Sequence, residues 1–139
     1  MAECNDSRKR LLVVDDSNLV RKLTKVTMEE AGYHVTTAAD GLAGLTLGLS
    51  EPFDVVVVDG TLPGISGGEL CRRLSVLPPE SKPYVILHTG TLRGWQARQE
   101  ALSAGADAYL LKMAGGENLL AMVQDVMEAR GAPRRAEVA

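Results

Sequence analysis

The stretch VVVVDGTLPG, residues 55–64, sets four valines against one aspartate and then a run of turn-forming residues. A continuous β-branched run of this kind fits a strand buried on both faces, as in a parallel sheet. Asp59 then stands at the rim of that strand. By itself such an aspartate can cap a helix, start a turn, or serve as a reactive carboxylate. The segments on either side decide between these readings.

Working outward, strand-like and helix-like segments alternate along the chain. RLLVVDD (10–16) is a short apolar run that stops on two aspartates. A helix follows over 17–32, with Ser17 as N-cap, Leu19, Leu23 and Val26 at helical spacing, and Gly32 just past its end. YHVTTA (33–38) reads as a second strand, less apolar and so nearer an edge. The segment 40–50 reads as a weaker helix, loosened by Gly44 and Gly48. Beyond the strand FDVVVVD (53–59), a helix is predicted over 66–77, with Pro78 and Pro79 as its stop. Strands at 83–89 and 106–112 alternate with helices at 93–105 and 117–131. Five βα units with short loops predict an α/β fold: a doubly wound five-stranded parallel sheet with helices on both faces. Residues 9–131 form the expected domain, with disordered tails at 1–8 and 132–139 and no room for an effector domain after residue 131.

Composition narrows the function classes. The chain has 139 residues, 45% of them hydrophobic, and a formal net charge of −3. That charge offers no basic face for nucleic acid. The two cysteines, Cys4 and Cys71, make no disulfide framework and no metal-type spacing. No apolar run approaches the ~20 residues of a membrane span, and the N-terminus lacks the apolar core of a signal peptide. A cytoplasmic protein without nucleic-acid or membrane partners is expected.

In an open α/β sheet the ligand site lies beyond the carboxyl ends of the strands. Those ends offer Asp15 and Asp16, Asp59, Thr89 after His88, and Lys112. Clustered carboxylates repel one another, and a hard divalent cation relieves that repulsion. All-oxygen ligation with few protein ligands suits Mg²⁺, with Mn²⁺ as a possible substitute. A carboxylate can accept a phosphoryl group, Thr89 can donate a hydrogen bond to it, and Lys112 can neutralise its charge.

Asp15-Asp16, Asp59 with Leu62-Pro63-Gly64, Thr89-Gly90 and Lys112 resemble the receiver domain of two-component response regulators, over about residues 10–130. The resemblance implies a flavodoxin-like strand order, 2-1-3-4-5. It implies that Asp59 accepts a phosphoryl group from a sensor histidine kinase or a histidine phosphotransfer protein. Asp16, Asp59 and the backbone carbonyl of Thr61 would ligate Mg²⁺ directly, and Asp15 through water. Thr89 and Tyr109 would form a switch pair, and Thr61 and Thr91 would tune phosphate lifetime. A stand-alone regulator is expected, not an enzyme, that signals by binding a partner through the face of the fourth helix, fifth strand and fifth helix.

Three features weigh against a simple match. Met113 follows Lys112 where the family usually has a cis proline, so a trans Lys112–Met113 bond is expected. That substitution keeps open a pseudo-receiver that binds partners without phosphorylation. His88 precedes Thr89 where an aliphatic residue is common. Alternation points it away from Thr89, and it reads as a structural histidine with a satisfied hydrogen bond. VVVDGTL also resembles the signature of haloacid-dehalogenase-type phosphatases, but the nucleophile would fall on Val57, which cannot attack phosphorus.

Overall fold

The valine run forms β3 (Val55–Asp59), and all of its residues are buried. Such a strand needs partners on both edges and cover on both faces. In the computed structural model, which describes residues 8–60, 62–90, 94–112 and 117–130, it has all of these. The side chains of residues 94–97, 117 and 130 lie outside that description, as do nearly all of the two expected tails.

The other strands are β1 (Arg10–Val14), β2 (His34–Ala38), β4 (Tyr84–Thr89) and β5 (Ala108–Leu111). The helices are α1 (Asn18–Glu30), α2 (Gly41–Ser50), α3 (Gly67–Leu74), α4 (Gly94–Ser103) and α5 (Glu117–Arg130). The five strands form one sheet in the order β2-β1-β3-β4-β5, and every pairing is parallel. The predicted doubly wound order is therefore the one observed. The polar β2 lies at an edge, as its composition implied, and the apolar β3 lies in the middle.

Alternation along the strands divides the core in two. Leu12, Val14, Val56, Val58, Val85 and Leu87 face α2, α3 and α4, where Leu45, Leu70, Leu74 and Ala101 meet them. Leu11, Val13, Val55, Val57 and Ile86 face α1 and α5, where Met28, Leu119, Val123 and Met127 meet them. Burying each such side chain contributes roughly 1.5–3 kcal/mol.

Three helices differ from their sequence reading. The glycines of α2 do not loosen it. They face the core, and a Cβ on Gly44 would come within 2.7 Å of Val14, while one on Gly48 would come within 2.8 Å of Leu74. The absent side chains let this helix lie close against β1 and α3. Helix α3 ends at Leu74, before the proline pair. Ser75 caps it, its N–H shared between the carbonyls of Cys71 and Arg72 and its hydroxyl donating to Arg72 at 2.7 Å. A serine whose hydroxyl competes for backbone carbonyls favours such an end.

In α1 the stripe that marks the helix in the sequence is not the face it buries. Leu19, Leu23 and Val26 are 65, 58 and 53% exposed. The inward face carries Val20, Arg21, Thr24, Thr27 and Met28, with only Met28 fully enclosed, at 1% exposure. Two contacts fix this rotation: Met28 sits in the core under the sheet, and Arg21 reaches the carbonyl of Asp15. The ends of α1 match expectation. Ser17 Oγ accepts from the Val20 N–H at 3.2 Å, and Gly32 takes the left-handed conformation with φ 102°.

Met28→Ala is therefore expected to cost about 2–5 kcal/mol of unfolding free energy, and Leu23→Ala no more than about 0.5 kcal/mol. Urea denaturation of the two variants measures both.

Candidate phosphoacceptor site

Parallel strands all end on the same side of the sheet, so the polar residues at their carboxyl ends are brought together. Asp59 is the last residue of β3 and Thr89 the last of β4. Asp15 continues β1 by one residue, its N–H donating to Ala38 O at 3.1 Å. Lys112 continues β5 likewise, its N–H donating to Thr89 O at 2.8 Å. Asp15, Asp59 and Thr89 are buried, at 3, 7 and 0% exposure, and Asp16 is exposed.

One oxygen each from Asp15, Asp16 and Asp59 lies within 4.8 Å of the others. Lys112 Nζ stands among them, 2.8 Å from Asp15 Oδ2 and 3.6 Å from Asp59 Oδ1. The stem of Lys112 runs past Gly90, where a Cβ would lie 3.7 Å from Lys112 Cβ. Burial acts to lower the Lys112 pKa, but its hydrogen bond to Asp15 and the charges of Asp15 and Asp59 outweigh that and hold it above the ordinary lysine value. The site therefore keeps a full positive charge opposite its carboxylates at neutral pH. The reach of Lys112 is achieved although Met113 follows it. The Lys112–Met113 bond itself lies outside the described residues, as do Thr61 and Thr91.

The three carboxylates are held differently. Every polar atom of Asp15 is engaged: Oδ1 accepts from the Ser17 N–H at 2.9 Å, Oδ2 from Lys112, and the carbonyl from Arg21 Nη1 at 2.7 Å. Asp16 has no hydrogen-bond or ion-pair partner among the described residues. Asp59 faces Lys112 and has further partners. The N-terminus of α3 packs onto its backbone, since a Cβ on Gly67 would come within 2.3 Å of Asp59 O. Three hard oxygen donors with unequal freedom fit a divalent cation that keeps some of its waters.

The remaining candidates are placed as follows. Tyr109 shares a sheet face with Thr89 by alternation and packs against the core beneath α3 and α4. Its hydroxyl is buried and has no hydrogen-bond partner among the described residues. His88 lies on the opposite face from Thr89, as alternation required, but its ring is not fully satisfied among the described residues. Its Nε2 is buried and without a hydrogen-bond partner among the described residues. Burial, then the Lys112 charge, push its pKa down to about 4 against an opposing pull from Asp15. Cys71 is a packing residue, fully buried, with its thiol pushed up to about 12 chiefly by burial. Arg21 was missed. The signal available in the sequence was its spacing, one turn beyond the Ser17 cap that follows the aspartate pair.

A parallel sheet of this order with acidic, hydroxyl and ammonium groups gathered at its carboxyl end defines the class of phosphoacceptor signalling domains. The family described as "Response regulator receiver domain" matches residues 11–124, and the chain belongs to that family. Among solved structures, it is similar to a CheY-like receiver domain protein of Methanospirillum hungatei. Their TM-score is 0.81 and their identity 32%, over 90% of this chain and 98% of that one. It is also similar to the response regulator TrrA of Thermotoga maritima, described in complex with Mg(2+)-BeF. Here the TM-score is 0.72 and the identity 33%, over 85% of this chain and 98% of that one. It is 32% identical, over 127 residues, to the transcriptional regulatory protein CseB of Streptomyces coelicolor. That match covers 87% of this chain and 50% of CseB, and the chain spans about half the length of most curated relatives it matches. Receiver domains take a phosphoryl group from histidine kinases or phosphotransfer proteins and bind Mg²⁺ at an acidic pocket. No helix among the described residues is long and apolar enough to cross a membrane.

The buried His88 makes stability depend on pH. Its folded pKa lies below the unfolded value near 6.5, so the unfolded chain binds the extra proton and stability falls as pH drops from about 6.5 toward 4. The loss amounts to about 3 kcal/mol. Comparing unfolding free energies of wild type and His88→Leu at pH 7 and pH 4 checks this: the variant is expected to lose that part of the pH dependence.

Proposed function

We propose that this chain is a Mg²⁺-dependent phosphoacceptor module in which Asp59 takes a phosphoryl group from a histidine kinase or a histidine phosphotransfer protein. The observation that carries this reading is the convergence of Asp15, Asp16, Asp59 and Lys112 at one rim of the sheet. A carboxylate oxygen of Asp59 forms the new bond to phosphorus. The bond from phosphorus to the donor's imidazole nitrogen breaks, and that nitrogen keeps the electron pair.

Asp59 and Asp16 would hold the Mg²⁺ directly, together with the carbonyl of Thr61. Asp15, whose two carboxylate oxygens are already engaged, suits contact through water. The cation supplies charge neutralisation at the phosphoryl oxygens. Lys112 is the mobile counter-charge. It lies nearer Asp15 than Asp59 and moves toward the phosphoryl oxygens as they arrive. Thr89 donates its hydroxyl to one of them.

Phosphorylation adds about −1.5 to −2 charges at a rim already acidic. The Thr89 side chain is drawn toward it, and Tyr109 repacks behind. The output is a changed surface over α4, β5 and α5, read by a protein partner. In this reading the chain makes and loses its own acyl phosphate but turns over no external substrate.

Incubation with Mg²⁺ and acetyl phosphate is expected to add one phosphoryl group to the intact mass of the wild type, and none to Asp59→Asn or without Mg²⁺. No gain in mass and no Mg²⁺ binding would instead favour a phosphorylation-independent binding module.

A further inference from the structure

The acidic rim rests on a residue that the chemistry so far has not used. Arg21 lies on the inward face of α1, and its Nη1 donates to the backbone carbonyl of Asp15 at 2.7 Å. Its Nη2 donates to Asn18 Oδ1, which holds the guanidinium in place. It makes no ion pair with a carboxylate among the described residues. A guanidinium that bonds the backbone carbonyl of a rim aspartate is placed to orient backbone.

The bond has a specific geometric consequence. Asp15 O and Asp16 N belong to one peptide plane, and that plane is rigid. The plane's carbonyl end is tied to Arg21, and the residue before it is tied down by Asp15 N–H on Ala38 O, Ser17 N–H on Oδ1 and Lys112 on Oδ2. Asp16, on the far side of the plane, has no partner of its own among the described residues. Its direction toward the cluster is therefore inherited from the plane that Arg21 holds.

We infer that Arg21 is a positioning residue for cation binding, acting through the Asp15 carbonyl to aim the Asp16 carboxylate. The inference rests on the metal reading given above. Its sign separates it from plain electrostatics. Arg21 is a cation near a cation site, so by charge alone its removal would tighten Mg²⁺ binding. By positioning, its removal weakens binding, as loss of groups that orient metal ligands does, by about tenfold.

Calorimetric titration with Mg²⁺ tests it on wild type, Arg21→Ala, Arg21→Lys and Lys22→Ala. Lys22 lines the same surface cleft as Arg21, with Asn18, Lys25 and Thr37, and removes a like charge without the carbonyl bond. Arg21→Ala is expected to raise the Kd about tenfold, Arg21→Lys, which keeps one donor, to raise it less, and Lys22→Ala to leave it unchanged or lower it. Thermal unfolding of the metal-free variants establishes that each is folded at the titration temperature, and Arg21→Lys carries the test if the alanine variant is not. Unchanged or tighter binding by the Arg21 variants, with wild-type binding intact, would overturn the inference and leave the metal reading standing. Equal weakening by Lys22→Ala would overturn it in favour of a general disturbance of α1. A wild type that binds no Mg²⁺ would overturn the metal reading and this inference with it.

Discussion

Two buried carboxylates cannot stand side by side at the end of a sheet without a counter-charge, and Lys112 is the one supplied. Its ammonium reaches Asp15 at 2.8 Å and Asp59 at 3.6 Å, across 97 residues of sequence in the first case. Removing one partner of such a buried group typically costs about 3–5 kcal/mol, because the charge left behind has no solvent to turn to. The strand order follows from the same need. With β1, β3 and β5 parallel in one sheet, the charged residues at or just past their carboxyl ends arrive on the same rim. Any other direction for one of them would strand a charge.

The ion pairs also make the site ready to change. Lys112 serves Asp15 more closely than Asp59, at 2.8 against 3.6 Å. Asp15 is saturated by hydrogen bonds, and Asp16 is exposed and unpartnered among the described residues. Three like side chains thus have three different freedoms, set by the backbone around them and not by their own chemistry.

The packing beneath the rim explains why it holds still. Glycines bring α2 against β1, and the first turn of α3 against Asp59 itself. Polar groups without hydrogen-bond partners among the described residues lie close by: His88 Nε2 on one face of β4, and the Tyr109 hydroxyl on the other face of the sheet. An unpaired buried polar group carries a desolvation cost. Strain of that kind is tolerated where a rearrangement relieves it, and the Tyr109 hydroxyl lies on the side proposed to move.

Much of this was legible in the residues themselves. The valine run named the central strand, the threonine-rich segment an edge strand, and the order of Asp15, Asp16, Asp59, Thr89 and Lys112 named the site, because period and residue type are local properties. The sequence could not say which face of α1 turns inward. Its more apolar stripe, Leu19, Leu23 and Val26, lies outward, because Met28 and the Arg21 bond to Asp15 decide the rotation and both depend on the sheet. Nor could it say that Gly44 and Gly48 tighten α2, since the atoms they make room for, on Val14 and Leu74, come from other elements. The sequence reads His88 as satisfied because polar groups in a core usually are, and only the neighbours assembled by the fold show that its Nε2 has no partner among the described residues. Local patterning decides which segments are strands and helices and which residues end them. Long-range packing decides which face is buried, which groups are paired, and which carboxylate is left free, because each of those is a property of atoms far apart in the chain.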